Sequence, residues 1–227
     1  MSKQDKQAPV LTIDGPSGSG KGTISKLLST QLGWHYLDSG AIYRALGIAA
    51  IERQIDIHDE AAVSELINLI TLEFKRNAKG EWGVFLDAIE VQDRLQTEAV
   101  GQVASVIAAL PKVREGLLLK QQAFRCAPGL VADGRDMGSM VFAGAKYKVY
   151  LTASAQERGK RRYKQLIEKG IDANLSDVIQ DIESRDSRDK SRAASPLVIP
   201  DGALLIDSST MSIDDVVQEV LQAMDNR

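Results

Sequence analysis

The segment from Gly15 to Thr23 holds the residues whose types and spacing point most directly to chemistry. It matches the pattern G-x-x-x-x-G-K, in which glycines let the backbone wrap so that several N–H groups face an anion. The positive end of a following helix adds to this attraction, and Lys21 can reach the β- and γ-oxygens of a nucleoside triphosphate. We therefore predict nucleotide contacts throughout the segment, at Gly15, Pro16, Ser17, Gly18, Ser19, Gly20, Lys21, Gly22 and Thr23.

The pattern indicates a phosphate site when it lies between a strand and a helix, and the sequence around the segment predicts both. Val10 to Ile13 is a short apolar run, and apolar residues recur at helical spacing from Ile24 to Leu32, so the sequence predicts a strand, a loop and a helix. This context and the lysine together favour a phosphate site over a plain glycine-rich turn. Position 22 is glycine where the general pattern has serine or threonine. We therefore expect the Thr23 hydroxyl to lie nearest to Mg²⁺, directly or through water.

Polar side chains follow two of the predicted strands. Ser39 and Arg44 come after the second strand, and Arg135 comes after the apolar run that begins at residue 130. Ligands of open α/β sheets bind at the carboxyl ends of the strands, so these residues should lie at the same edge as the phosphate loop. Asp133 and Asp136 flank Arg135 and are candidates for the metal or acceptor site.

Two predicted helices carry further arginines. The first opens with a capping-box sequence, Ser154-x-x-Glu157, and should end at about Lys169 before Gly170. Phosphoryl transfer spreads negative charge over equatorial oxygens, which arginine forks can hold bidentately. The candidates are Arg158, Arg161 and Arg162 on the first helix, and Arg185, Asp189 and Arg192 on one face of the second.

Alternating β and α patterns along the chain predict the fold class. Such an order implies an α/β protein with a mostly parallel sheet between two helical layers, here a three-layer α/β/α P-loop fold. Apolar residues alternate with polar ones at about residues 71–92, which indicates three short antiparallel strands inserted into the pattern.

Composition and charge argue against several classes of protein. The 227 residues are 44% hydrophobic and 26% charged, which is ordinary for one main globular domain. A net charge of −3 gives no overall field that attracts nucleic acid or an anionic membrane. The single cysteine, Cys126, excludes an internal disulfide, and the polar start from Met1 to Gln7 lacks a signal core. We expect a cytoplasmic protein with neither nucleic acid polymer nor membrane as partner.

Four segments make the sequence recognisable over nearly its whole length. It closely resembles bacterial cytidylate kinases in Ile13–Thr23, Leu37–Arg44, Ala132–Gly138 and Arg185–Arg192. The first segment also suits other nucleoside monophosphate kinases, whereas Asp-Gly-Arg-Asp-Met-Gly in the third is particular to this family. The resemblance implies a monomeric enzyme of pyrimidine nucleotide metabolism. It would transfer the γ-phosphoryl group of ATP, bound with Mg²⁺, to CMP or dCMP, giving ADP and CDP or dCDP.

The resemblance also implies how the chain is divided and what the candidate residues do. A core at about residues 9–58, 98–153 and 195–227 would carry an acceptor-binding region at about 59–97, including the insert, and a helical lid at about 154–194. Roles carried over position by position are cytosine reading by Ser105, Arg114 and Asp136, sugar binding by Arg185 and Asp189, acceptor-phosphate binding by Ser39, Arg44, Arg135 and Arg192, and stabilisation of the transferring group by Lys21, Arg158 and Arg161.

The chemistry of the base agrees with this assignment. Cytosine offers an amino donor beside two acceptors, so its reader needs an acceptor such as the Asp136 carboxylate and a donor such as Arg114. No protein nucleophile or strong base is needed for phosphoryl transfer, and Asp133 or Asp136 would at most orient the acceptor.

Two other functions fit parts of the sequence. One is a kinase for a different small acceptor, such as AMP, UMP or shikimate. The other is a nucleotide-dependent regulatory module that hydrolyses slowly and signals by shape. The arginine-rich helices argue against the second function, as does the absence of switch-like sequence.

Overall fold

A computed structural model describes residues 8–168, 170–192 and 194–226, so the polar start from Met1 to Gln7 lies outside the described residues. The strands are β1 (Val10–Asp14), β2 (His35–Asp38), β3 (Leu72–Arg76), β4 (Trp82–Leu86), β5 (Ile89–Glu90), β6 (Leu130–Gly134), β7 (Tyr147–Thr152) and β8 (Leu204–Asp207). The helices are α1 (Lys21–Leu32), α2 (Ser39–Glu52), α3 (Glu60–Leu69), α4 (Gln92–Leu95), α5 (Glu98–Ile107), α6 (Pro111–Gln122), α7 (Ala155–Glu168), α8 (Leu175–Ser191) and α9 (Ile213–Asp225), with a π-helical turn at Met137–Val141.

The central sheet is parallel and has the strand order β2-β6-β1-β7-β8. Every residue of β1 and β6 is buried, as expected for strands covered by helices on both faces. The register pairs Asp38 with Asp133 and Asp14 with Gly134. The carboxyl ends of β1, β2 and β6 therefore bring these polar residues to one edge of the sheet.

Two apolar clusters cover the two faces of the sheet. Leu46, Ile107 and Leu117 belong to the larger cluster, whereas Leu28 and Val220 belong to the smaller one. This arrangement confirms the predicted three-layer fold. Among the described residues, no helix is both long and apolar enough to span a membrane.

The insert is a small antiparallel sheet of order β3-β4-β5, which confirms the three predicted strands. Two aromatic pairs attach it to the rest of the chain. The rings of Phe74 and Phe124 meet edge to face at 5.3 Å, and those of Tyr36 and Trp82 lie 6.1 Å apart. Trp82 thus serves packing between the insert and β2.

Helices α7 and α8 pack against each other as a pair that begins directly after β7. Asn174 caps α8 with its side-chain oxygen. The capping box predicted for α7 is wrong in one half: Ser154 accepts from the Glu157 N–H at 3.2 Å, but the Ser154 N–H donates to Ser209 at 3.0 Å. Ser209 supplies the acceptor that Glu157 would have offered. The predicted helix end at Lys169 lies outside the described residues.

Candidate active site

The phosphate loop joins β1 to α1 and is shaped by glycines in conformations that other residues rarely adopt. The angle φ is +150° at Gly15, +76° at Gly18 and +94° at Gly20. At Gly15 a Cβ atom would lie 2.0 Å from the carbonyl oxygen of Leu151, so only glycine lets the loop pass this close to β7. No described side chain caps α1, whose positive N-terminal end at Lys21 therefore stays open to an anion.

Lys21 lies inside this loop with only 6% of its surface exposed. Its Nζ donates to the carbonyl oxygen of Pro16 at 2.7 Å, which holds the ammonium group within the curve of the loop. Burial, with a smaller contribution from Arg135, lowers the pKa of Lys21. A bound triphosphate would act in the opposite direction, because nearby negative charge favours the protonated ammonium group.

Asp133 faces the same space from the end of β6. Tyr36 donates its hydroxyl to Oδ2 of Asp133 at 2.8 Å. Burial raises the pKa of the Asp133 carboxyl, and the neighbouring carboxylate of Asp38 raises it further. Gly22, which stands where the general pattern has a serine or threonine, faces this carboxylate. A Cβ atom at Gly22 would lie 3.9 Å from Oδ2 of Asp133.

The residues near Lys21 suit a magnesium ion bound with nucleotide phosphates. Asp38, Asp133 and Thr23 all line a cavity of about 690 Å³ beside the phosphate loop. Mg²⁺ prefers one or two carboxylates together with phosphate oxygens and water, and these oxygen donors match that preference. Within the described ranges there is no group of three or more His, Cys, Asp or Glu residues arranged to hold a metal.

A second, smaller cleft adjoins the first and shares Ser17, Gly40, Arg44 and Arg135 with it. Its volume is about 100 Å³. It brings together nearly all residues predicted to bind the acceptor: Ser39, Arg44, Ser105, Arg114, Arg135, Asp136, Arg185, Asp189 and Arg192. Asp133 is the exception, because it lines the cavity of the phosphate loop instead.

Arg114 and Asp136 form a buried ion pair at one end of this cleft, with side chains 9% and 6% exposed. Arg114 also donates to the carbonyl oxygen of Ala108 at 3.0 Å, whereas its Nε is buried without a partner among the described residues. The pair presents a carboxylate and a guanidinium side by side. It can therefore accept from and donate to one planar ligand.

Arg135, Asp189 and Arg192 form a second charged group in the cleft. Arg135 donates to Asp189 at 2.7 Å, and although burial opposes the effect, Arg135 lowers the pKa of the Asp189 carboxyl. Arg192 lies 3.9 Å from the same aspartate, and its Nη2 is buried without a hydrogen-bond partner in the described part of the chain. An unpaired buried guanidinium nitrogen is costly, which points to an anionic ligand here.

Ser39 and Arg44 reach the cleft from α2, as the sequence predicts. Ser39 donates to Gln121 at 2.7 Å, and Arg44 donates to the carbonyl oxygen of Leu95 at 3.1 Å. Burial lowers the pKa of Arg44. A nearby phosphate would offset this effect.

Arg158 and Arg161 lie against the phosphate loop rather than in the acceptor cleft. Arg158 donates to the carbonyl oxygen of Ser17 at 2.9 Å and to Asp186 at 2.6 Å, so the protein already occupies much of its guanidinium. Arg161 donates to the carbonyl oxygen of Ser208 at 2.6 Å and borders the larger cavity.

Sequence patterns do not single out Asp14 as a residue that supports this site. Asp14 is buried at the end of β1 and accepts from the N–H groups of Met137 and Gly138 at 2.8 and 2.7 Å. Burial raises its pKa to about 6, although both hydrogen bonds act to lower it. Asp14 could have been found from the sequence through its position between Ile13 and Gly15, directly before the phosphate loop.

The parallel sheet, the phosphate loop after its first strand and the adjoining arginine cleft define a P-loop small-molecule kinase. The family model described as cytidylate kinase matches residues 11–226. The chain belongs to this family.

Similar proteins agree over nearly the full length. A cytidylate kinase of Colwellia psychrerythraea is 49% identical over 95% of this chain and 96% of its own. One of Aeromonas hydrophila is 51% identical over 95% of this chain and 94% of its own. Among solved structures, a gluconokinase from Sinorhizobium meliloti aligns over 96% of this chain and 92% of its own, with 14% identity and a TM-score of 0.45.

Replacing Gly15 with alanine should destabilise the protein, because the new Cβ atom would overlap the carbonyl oxygen of Leu151 and the backbone would be strained. We expect Gly15→Ala to lower the free energy of unfolding by about 2 kcal/mol or more in denaturant titrations. The control is Gly144→Ala, where a Cβ atom meets no atom within 4 Å. Equal stability of the two variants would contradict the close approach of the loop to β7.

Proposed function

We propose that this protein transfers the γ-phosphoryl group of ATP to CMP or dCMP, giving ADP and CDP or dCDP. One observation carries the proposal. A phosphate-loop cavity opens directly beside a cleft in which Arg44, Arg135 and Arg192 accompany the Arg114–Asp136 pair. The relatives named cytidylate kinase, about half identical to this chain, support it.

The acceptor phosphate would bind where the two cavities meet. Arg44 and Arg135 line both of them, and Arg192 contributes the guanidinium nitrogen that has no partner of its own. Ser39 adds a hydroxyl from the start of α2. In this arrangement an acceptor oxygen is held close to the γ-phosphoryl group, and such positioning supplies much of the catalysis in phosphoryl transfer.

Cytosine would be read by Asp136, Arg114 and Ser105. The Asp136 carboxylate can accept from the amino group of the base, while the Arg114 guanidinium donates to a ring acceptor. Their mutual ion pair fixes both groups before the base arrives. Uracil presents an oxygen where cytosine has its amino group, so it would face the carboxylate without a hydrogen bond.

Lys21, Arg135, Arg158 and Arg161 would stabilise the transferring group. Lys21 lies in the loop, and Arg161 borders the same cavity. Arg158 is held by Ser17 and Asp186, so we propose that it reaches the phosphates after Asp186 releases it. A Mg²⁺ ion held by Asp38, Asp133, Thr23 and the phosphates would supply further positive charge to the phosphate oxygens.

The helix pair α7–α8 would act as a lid over the acceptor. A cleft of about 100 Å³ is small beside the roughly 300 Å³ or more of ordinary ligand pockets, so the pair must shift to admit a nucleotide. Arg185 and Asp189 of α8 would then contact the sugar. The fact that both residues line the cleft supports this role. We further propose that the protein acts as a cytoplasmic monomer in pyrimidine nucleotide metabolism, with no polymeric nucleic acid as partner.

A panel of acceptors tests the proposed function directly. With ATP and Mg²⁺, we expect ADP release to depend on CMP or dCMP and to be much slower with UMP, AMP or shikimate. Mass spectrometry should identify CDP or dCDP as the second product. If turnover is fastest with another acceptor, that acceptor replaces CMP and dCMP as the proposed substrate. ATP hydrolysis that needs no acceptor and yields no phosphorylated acceptor would instead favour a regulatory module.

The Lys21→Met variant tests the phosphate loop. Removing the ammonium group takes positive charge away from the transferring phosphate, so kcat should fall by a factor on the order of 10³. Lys79→Met, at an exposed position of the insert, should retain wild-type kcat. Circular dichroism checks that both variants fold. Near-normal turnover of folded Lys21→Met would disprove the role of this residue.

The Asp136→Ala variant tests base recognition. It should lower kcat/KM for CMP by about tenfold to a hundredfold, because the cytosine amino group loses its acceptor, while the already poor kcat/KM for UMP falls much less. The CMP-to-UMP ratio is the decisive quantity. The loss of the ion pair with Arg114 affects both acceptors alike. An unchanged ratio would show that Asp136 supports the cleft without reading the base.

A further inference from the structure

One face of α5 is directed at the arginines of the helix pair. Glu98, Gly101 and Ser105 are spaced at i, i+3 and i+7, which places them on the same side of the helix. Arg185 contacts the first two of these residues, and Arg188 donates to the Ser105 hydroxyl at 3.2 Å. We call Glu98, Gly101 and Ser105 the docking face of α5.

Glu98 is the charged member of this face and joins both helices of the pair. Its Oε1 accepts from Nη2 of Arg185 on α8, and its Oε2 lies 3.8 Å from Nη2 of Arg162 on α7. Glu98 lies in the first turn of α5, after the cap residue Thr97. A role confined to the helix dipole would not require two arginines from separate helices to converge on it.

Gly101 explains how Arg185 can lie so close to α5. A Cβ atom at this position would be 3.1 Å from Nη2 of Arg185, tighter than an ordinary contact. The guanidinium therefore rests against the surface of the helix, between the Glu98 carboxylate and the acceptor cleft. Arg185 lines that cleft while it is paired. Its five N–H donors allow it to bind Glu98 and a ligand at the same time.

We propose that Glu98 is a positioning residue that holds Arg185 over the acceptor cleft and ties the helix pair to α5. This inference rests on the proposed function, because it assigns Arg185 to the bound acceptor. Without the Glu98 carboxylate, Arg185 is free to sample other rotamers, and ordering it on binding lowers affinity. The pairing does not touch the transferring phosphate, so Glu98 affects acceptor binding more than the chemical step.

The expected effects are modest, since the Glu98 side chain is 47% exposed and exposed ion pairs are weak and screened by salt. In Glu98→Gln, KM for CMP should rise about threefold to tenfold, with kcat within about twofold of wild type. Amide hydrogen exchange of residues 175–191, measured without nucleotide, should become faster. Salt at 0.5 M should accelerate this exchange in wild type more than in the variant.

Two further variants sharpen the experiment. Asp214→Asn removes one exposed carboxylate from the first turn of α9, outside the acceptor-binding region, and should change neither KM for CMP nor the exchange of α8. Arg162→Met removes the second partner of Glu98, so it should accelerate exchange less in the Glu98→Gln background than alone. Because this exchange is measured without nucleotide, it reports the Glu98 contact separately from any contact of Arg162 with a phosphate.

The outcomes separate this inference from the proposed function. If wild type phosphorylates CMP but Glu98→Gln matches Asp214→Asn in KM and in α8 exchange, Glu98 has no positioning role. Additive effects of Glu98→Gln and Arg162→Met would likewise overturn the shared contact. If wild type does not phosphorylate CMP at all, the proposed function fails, whereas the exchange measured without nucleotide still reports whether Glu98 holds the helix pair.

Discussion

Positive charge concentrated at one edge of the sheet is the constraint on which the rest of this structure depends. Several arginines are withdrawn from water around the phosphate loop and the adjoining cleft, and an unpaired buried guanidinium costs several kcal/mol. Each of the following arginines pairs with a carboxylate: Arg114 with Asp136, Arg135 with Asp189, Arg158 with Asp186 and Arg185 with Glu98. The partners come from the loop after β6, from α8 and from α5, so the charges hold together elements that are distant in sequence.

These ion pairs hold an element that has little apolar support of its own. The central sheet is held by two apolar clusters, whereas α8 buries only Ile182 along its 17 residues. An element held by few apolar contacts and by partly exposed ion pairs opens more easily than the core. A nucleotide phosphate can replace a carboxylate partner, because both are anions that arginine binds bidentately. The charges that hold α8 in place therefore also suit the cleft to an anionic ligand.

The buried carboxylates Asp14 and Asp133 at the sheet edge have roles different from those of the carboxylates in the ion pairs above. Asp14 accepts two N–H groups from the π-helical turn, and Asp136 directly precedes that turn. Asp14 therefore fixes the backbone that presents Asp136 to the cleft. Asp133 lies between Tyr36 and Lys21, where its charge depends on the cations around it. Asp14 thus contributes to the shape of this edge, whereas Asp133 and Lys21 contribute to its electrostatics together with the arginines.

The sequence by itself determined the features that depend on local spacing. Apolar periodicity predicted most of the strands and helices and the insert, and the glycine pattern placed the phosphate loop. Helical spacing placed Arg185 and Asp189 on the side of α8 that lines the cleft, whereas Arg192, predicted on the same helix, lines the cleft from an extended residue just beyond the helix end at Ser191. Only the tertiary structure decided which carboxylate pairs with which arginine. Glu98 and Arg185 form a hydrogen bond although they lie 87 positions apart in the sequence. Nothing local distinguishes Glu98 from an ordinary acidic residue in the first turn of a helix, because its partners Arg162 and Arg185 come from α7 and α8 and reach it only in the folded chain. The capping box at Ser154 is only half formed for the same reason. The Ser154 N–H donates to the hydroxyl oxygen of Ser209, which lies in a distant part of the sequence.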